Sequence, residues 1–289
     1  MNQPLLSIII PTHNRPHLLN KAVKSALQQT LEDIEVIVVD DASAPPAALD
    51  EHSKLQVIRL SSPHGGAGAR NVGTEAARGR WITYLDDDDQ LLPQMAEIAL
   101  NALANTDLPS PVGVIAGIEV VDEQGQVQEK RLPPPLRPKG CHFALEKIEP
   151  GYSYNTKQTL VVERSVIQAA GGWDETFRSR VHSELFLRLN PICSIMGISE
   201  ITYRLLRAKH EPGVSKNSQL RQESFYRLIN KHKKVFQASP AMYANFVYDH
   251  ALMSYRSRQK GAAILSLLRA FCIHPQVIVN RLLLSIKGK

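Results

Sequence analysis

Over its first hundred residues the chain repeats one pattern, a short run of apolar, β-branched residues followed by a helix-patterned segment. Leu6-Ser7-Ile8-Ile9-Ile10 is stopped by Pro11 and reads as a buried strand. Pro16 opens a helix through Gln29, with Leu18, Leu19, Ala22, Val23, Ala26 and Leu27 on one face. Ile34 to Val39 and Leu55 to Leu60 are two further strands. Gly65-Gly66 leads into a helix through Ala77, ended by Gly79, and Trp81 to Leu85 is a fourth strand before the helix that Pro93 opens. Strands that are apolar throughout and alternate with helices specify an α/β fold, a mainly parallel sheet with helices on both faces. At 289 residues, 43% hydrophobic and 21% charged, the chain can bury a sizeable core.

The middle is less regular. Val112 to Val121 and Val127 to Arg131 form a predicted hairpin across Glu123-Gln124-Gly125, and Pro133-Pro134-Pro135 with Pro138 marks an extended loop. Thr159 to Val162 and Ile201 to Leu206 read as strands, and Ser183 to Leu189 as a short helix. The last seventy residues change character. Ser218 to Phe236, Ala241 to Arg258, Ala262 to Ile273 and Pro275 to Ile286 all read as helices. The expected organisation is an α/β domain over residues 1–215, divided near residue 105, and a C-terminal helical extension over 216–289.

Three widely spaced cysteines, Cys141, Cys193 and Cys272, suggest neither a disulfide framework nor a thiolate zinc site, which fits a reducing cytoplasm. The apolar run Leu5 to Ile10 lacks the basic start of a signal peptide, and no stretch reaches the ~18 apolar residues of a spanning helix. The net charge of +6 permits contact with an anionic surface without requiring one.

In parallel α/β sheets ligands bind beyond the carboxyl ends of the strands. That rule gathers Pro11-Thr12-His13-Asn14, Asp40-Asp41 and Asp86-Asp87-Asp88-Asp89 into one crevice. Four consecutive carboxylates repel one another unless solvent or a cation neutralises them. A divalent ion held there could bind a diphosphate and stabilise its charge as it leaves. The alternative is a solvated loop that caps the helix opened by Pro93.

Four motifs then coincide in order: Ser7-Ile8-Ile9-Ile10-Pro11-Thr12-His13-Asn14-Arg15, Val38-Val39-Asp40-Asp41-Ala42-Ser43, Ala69-Arg70-Asn71-Val72-Gly73 and Tyr84-Leu85-Asp86-Asp87-Asp88-Asp89. Together they resemble a family-2 glycosyltransferase with the GT-A fold, a Rossmann-like arrangement. The resemblance covers the first hundred residues closely, runs on less closely to about residue 215, and says little about the helical tail. It implies an inverting transfer from a nucleoside-diphosphate sugar. On that resemblance, residues 1–105 are the nucleotide-sugar half and 106–215 the acceptor half. Pro11, Thr12 and His13 would line the base pocket with Asn14 beside them, and Asp41 would bind the base. His13 stands where relatives often carry an aromatic residue. Arg70 would lie near the nucleotide, where a fixed cation suits a diphosphate. Asp86 and Asp87 would contact ribose or sugar, Asp88 would be the main ligand of Mn²⁺ or Mg²⁺, and Asp89 would be a supporting group or a helix cap.

Gly171-Gly172-Trp173-Asp174-Glu175 resembles the family's acceptor-side motif, with Trp173 and Asp174 presented by a tight turn. A tryptophan face can pack on a sugar ring, although a core role is the commoner outcome. Relatives usually carry an acidic pair downstream whose aspartate is the general base. Here Val181 and His182 occupy that place, which makes His182 the candidate base and Glu184 the fallback. His210, in His210-Glu211-Pro212-Gly213-Val214-Ser215, resembles a histidine that completes metal coordination; an imidazole there favours Mn²⁺.

Ala262 to Ile273 is apolar nearly all round and is expected to be buried or to serve an oligomer. Pro275 to Ile286 could lie flat on an anionic membrane surface, with packing in the core as the plainer reading. The resemblance implies UDP as the commonest donor nucleotide, with dTDP an alternative. The acceptor would be a glycan or glycolipid of bacterial polysaccharide or lipopolysaccharide synthesis, reached from the cytoplasm at the inner face of the membrane. A sugar-nucleotide pyrophosphorylase would need a Gly-rich basic loop after the first strand, where Pro11-Thr12-His13-Asn14 stands. Nucleic acid is disfavoured because four acids at the cleft repel phosphates. A weak or inactive sugar-binding homologue stays open, since the usual acidic base is missing.

Overall fold

The computed structural model describes residues 3–143, 145, 148–207 and 217–287, with side chains up to residue 283. The chain forms two compact units, Met1–Phe143 with Ile148–Glu211, and Ala144–Lys147 with Pro212–Lys289.

The first unit is built on one ten-stranded sheet. β1 (Leu6–Thr12) pairs in parallel with β2 (Ile34–Asp40) and with β4 (Trp81–Tyr84), and β2 pairs in parallel with β3 (Leu55–Arg59). Every residue of β1 and β2 is buried, as a sheet covered on both faces requires. One face is covered by α1 (Pro16–Leu27), whose Leu19, Ala22, Val23 and Ala26 join Ile8, Ile10, Val36 and Val38 in the main apolar cluster. The other face carries α2 (Gly65–Ala76). Gly73 lets this helix approach β1 closely, for a Cβ there would stand 2.4 Å from Ile9 Cγ2.

The rest of the sheet departs from simple alternation. Short β5 (Gln90–Leu91) follows the acidic run, and α3 (Met95–Ala104) begins two residues after Pro93. β6 (Val112–Val121) and β7 (Val127–Arg131) form the expected hairpin. Two-residue β8 (Leu136–Arg137) lies within the proline-marked loop. β9 (Val161–Glu163) is inserted between β4 and β6 and runs antiparallel to both. α4 (Arg164–Ala169) and α5 (Val181–Leu189) precede β10 (Ser194–Leu206), which pairs in parallel with β6. β10 is more than twice the length expected for it and passes through register shifts between Gly197 and Tyr203.

The second unit is helical. The single helix expected over Ser218–Phe236 is two, α6 (Ser218–Lys231) and α7 (Lys233–Ala238), broken at His232. α8 (Pro240–Arg256), α9 (Lys260–Ile273) and α10 (Pro275–Lys287) follow, and no described helix is long and apolar enough to cross a membrane.

Candidate active site

Thr12 ends β1, Asp40 ends β2, and Asp86–Asp89 follow β4, so the parallel strands deliver these residues to one edge of the sheet. The contacts between them are direct. Thr12 Oγ1 donates to Asp87 Oδ2 at 2.8 Å. Asn14 has a positive φ of 56° and its backbone N–H donates to Ser43 Oγ at 2.9 Å, while Asn14 Oδ1 accepts from the Ala44 N–H at 2.8 Å. His13 Nδ1 lies 2.6 Å from the Asp41 carbonyl oxygen and its Nε2 lies 2.9 Å from Asn14 Nδ2. The two contacts suit Nδ1 as the donor and Nε2 as the acceptor. Pro11 is buried within β1 opposite Val39.

The neighbouring aspartates after β2 divide the work. Asp40 accepts from the N–H groups of Ser43 and Ala47 and shapes the following loop. Asp41 accepts from the N–H groups of His64 at 2.6 Å and Gly65 at 2.8 Å, at the start of α2. Both Asp41 oxygens thus hold backbone groups at a helix N-terminus, where negative charge is favoured. A contact to a nucleobase would use their remaining lone pairs.

The four acids have four different environments. Asp86 pairs with the buried Arg70, which also donates to the Gly66 carbonyl. Burial pushes the Asp86 carboxyl up, but the Arg70 charge and hydrogen bond outweigh it and hold the group below its ordinary range. Asp87 is buried between Thr12 and Arg15; burial raises its pKa against those two partners. Asp88 is half-buried, and its pKa is raised to about 6 by burial and then by repulsion from Asp86 and Asp87. Asp89 accepts from the Tyr203 hydroxyl at 2.8 Å and the Leu206 N–H at 3.0 Å. Burial, with Asp86 and Asp88 nearby, lifts it far above an ordinary carboxyl. It therefore fastens the acidic run to β10.

Arg15 Nη1 donates to Asp87 Oδ1 at 3.1 Å and to Asp88 Oδ2 at 3.0 Å. One guanidinium nitrogen thus bridges two carboxylates, as a small cation would. Among the described residues, Asp86, Asp88 and Asp89 also offer carboxylate oxygens within 4.8 Å of one another. Hard oxygen donors this close together, with Asp88 raised to about 6 by burial and then by its neighbours, fit a divalent Mg²⁺ or Mn²⁺ ion.

On the acceptor side the turn forms, but it points its tryptophan inward. Gly171 and Gly172 have φ of 83° and 68°. Asn71 closes the turn by accepting from the Trp173 N–H at 2.8 Å and donating to the Trp173 carbonyl at 2.9 Å. Trp173 is only 3% exposed. Its ring meets Tyr84 and His182 edge-on, with centroids 4.8 and 5.0 Å away, and Arg70 lies 5.1 Å from its centroid. The ring thus packs against Arg70 and His182, the core role that the sequence also allowed. Asp174 Oδ1 accepts from the N–H and hydroxyl of Thr176, a local turn bond.

His182 lies in the first turn of α5, between Trp173 and the charges of Arg70 and Asp86. Burial, then Arg70, push its pKa down to about 3, so the imidazole is neutral at physiological pH. Glu184 is 1% exposed and gives both carboxylate oxygens to Arg188. Buried and neutralised by that fork, it is less open to an acceptor hydroxyl than His182. His210 lies outside the described residues. The sequence assigns no role to Arg15, Asn71 or Tyr203, although the first two fall inside the quoted motifs and Tyr203-Arg204 resembles a later segment of the family.

Residues 7–160 match the profile of glycosyl transferase family 2. The chain belongs to that family. An uncharacterized glycosyltransferase of Haemophilus influenzae, itself similar to this chain, is 27% identical over 187 residues, 64% of this chain and 62% of the relative. The O-antigen biosynthesis protein RfbC of Myxococcus xanthus is 30% identical over 223 residues, 74% of this chain and 16% of that protein. The chain thus spans less than two thirds of the length of these curated relatives. Residues 1–349 of S. aureus TarS, crystallised with UDP-GlcNAc, align with a TM-score of 0.62 at 16% identity, over 94% of this chain and 81% of that one. This family member therefore has the GT-A fold, with a central mixed sheet and a C-terminal helical region.

Proposed function

We propose that the protein is an inverting glycosyltransferase, moving a sugar from a nucleoside-diphosphate donor to a glycan or lipid-linked acceptor of bacterial surface polysaccharide. The observation that carries this reading is the convergence of Thr12, Arg15 and Arg70 on the acidic run after β4, with the Asp41 N–H bonded to the Thr12 carbonyl, in a family-2 domain. UDP is the favoured nucleotide, supported by the UDP-GlcNAc complex of TarS, and dTDP is the alternative. The polysaccharide acceptor is supported by the O-antigen relative. Three unpaired cysteines suit action in the cytoplasm.

Asp88 would be the principal metal ligand, with Asp86 and Asp89 beside it and His210 as a further candidate. A bound Mn²⁺ or Mg²⁺ supplies charge neutralisation for the departing diphosphate. The protein's own residues do the rest. Pro11, Thr12, His13 and Asn14 would shape the nucleoside pocket, Asp41 would face the base, and Asp86 and Asp87 the ribose or sugar. Arg15 and Arg70 would turn from the carboxylates they hold toward the incoming phosphates, with the stronger charge-assisted bonds that such groups make. His182 would take the proton of the acceptor hydroxyl as its oxygen attacks the anomeric carbon, the bond from that carbon to the diphosphate oxygen breaks, and configuration inverts. An imidazole held at about 3 is a weak base. Donor phosphates would offset the Arg70 charge, which ranks after burial among the causes of that depression, so part of its basicity would return once the donor is bound.

His182→Ala should cut turnover at least about a hundredfold, the usual range for a lost general base, and leave the donor Kd within about twofold. Unchanged turnover would remove His182 from the mechanism. The low basicity of His182 and the engagement of Glu184 favour a second reading, a donor-binding homologue with little activity. Tight donor binding by the wild type, without transfer or donor hydrolysis in the presence of Mn²⁺, would establish that one instead.

A further inference from the structure

The helical unit has its amphipathicity reversed along α9. The residues this helix buries are small, Ala263, Ser266 and Ala270. Its large apolar residues face outward: Ile264 is 59% exposed, Leu265 64% and Leu268 57%, and Phe271 continues the row. Spaced at i, i+1, i+4 and i+7, these four make one stripe, opposite the small residues. α10 packs on α8 and α9 and adds exposed Val279, Leu282 and Leu283. A contiguous apolar surface of this kind marks an interaction site.

Charge decides between the occupants. Residues 212–289 hold thirteen Lys and Arg and only two acids, Glu223 and Asp249. Their formal charge is +11, which leaves −5 for residues 1–211 within the chain's total of +6. A second copy would set one +11 unit against another and is disfavoured by repulsion. Nucleic acid would satisfy the charge but leave the apolar stripe in water. An anionic lipid surface satisfies both, with acyl chains for the stripe and headgroups for the cations. Tyr255, exposed at the end of α8, and the exposed Arg256, Arg258 and Lys260 stand at the entry to α9. An aromatic ring with lysines and arginines suits the headgroup layer.

We propose that α9 and α10 dock the protein in the plane of an anionic lipid bilayer, burying Ile264, Leu265, Leu268 and Leu282 among the acyl chains. This rests on the helical unit alone and is independent of transferase activity. The test is co-sedimentation of the full chain with phosphatidylglycerol vesicles and with phosphatidylcholine vesicles at low ionic strength. The wild type should bind the first, bind the second far less, and be weakened by salt. Leu265→Glu with Leu268→Glu should bind at least about tenfold more weakly at an unchanged melting temperature, because both side chains are already in water. Arg256→Glu with Lys260→Glu should lose affinity for the anionic vesicles without touching the stripe. No binding to phosphatidylglycerol, or equal binding by the leucine variant, would overturn the proposal. So would a lipid-free dimer in sedimentation velocity that the leucine variant dissolves, which would assign the face to a second copy.

Discussion

Asp88 is defined by its neighbours. Burial and two adjacent carboxylates raise its pKa to about 6, while Arg15 and a backbone hydrogen bond draw it down. Asp87 and Asp89 are raised as well. A carboxyl whose folded pKa exceeds its unfolded value stabilises the fold below the unfolded pKa and loses that contribution as pH rises through the folded one. For Asp88 the loss runs from about pH 4 to about pH 6. A divalent ion relieves the repulsion only where the acids are ionised. Stabilisation by Mn²⁺ should therefore be larger at about pH 7.5 than at about pH 5, as read from melting temperatures with and without the ion. An equal or larger shift at the acid pH would contradict the ligand set. The acids were legible in the sequence because a strand end fixes where they lie. Arg15 was not, since its reach depends on the left-handed turn at Asn14. Which of its two readings Trp173 would follow was not legible for a related reason: two left-handed glycines and the paired bonds of Asn71 fold it inward, and none of this is local to the tryptophan.

At the scale of elements, β1, β2 and β4 could be read directly because burial leaves mostly apolar runs, β3 from its Leu55, Val57 and Ile58 although it is largely exposed, and α1 and α2 from the helical segments between them. The antiparallel insertion of β9 between β4 and β6 could not be read. Two valines and a glutamate do not say which neighbours they pair with. The length of β10 was hidden by Gly197 and the polar Ser199-Glu200, where the ladder shifts register. The contact of α2 with β1 offers a direct check on this packing. Gly73→Ala places a methyl 2.4 Å from Ile9 Cγ2 and should cost about 1–3 kcal/mol through overpacking, measured by denaturant unfolding. No loss of stability would mean that α2 stands further from the sheet than described.

For the whole molecule, the family match covers residues 7–160, which apart from 144–147 lie in the sheet-bearing unit, and the site residues described lie in that same unit. The helical unit was legible as helices but not as a surface, because a nearly all-apolar helix does not tell which side its neighbours will cover. Its small inward residues and large outward ones became distinct only once α8 and α10 were in place. The central claim concerns the first unit: a nucleoside diphosphate and a divalent cation bind together at the acidic run. Thermal unfolding of the full chain with UDP, Mn²⁺ and both tests it most directly, with Asp88→Asn in parallel. The two ligands together, at about a hundredfold over Kd, should raise the wild-type melting temperature by about 5 °C, more than the two separate shifts combined. Asp88→Asn should lose that excess while remaining folded. No shift with UDP or dTDP in the presence of Mn²⁺, or a full shift in Asp88→Asn, would contradict the account.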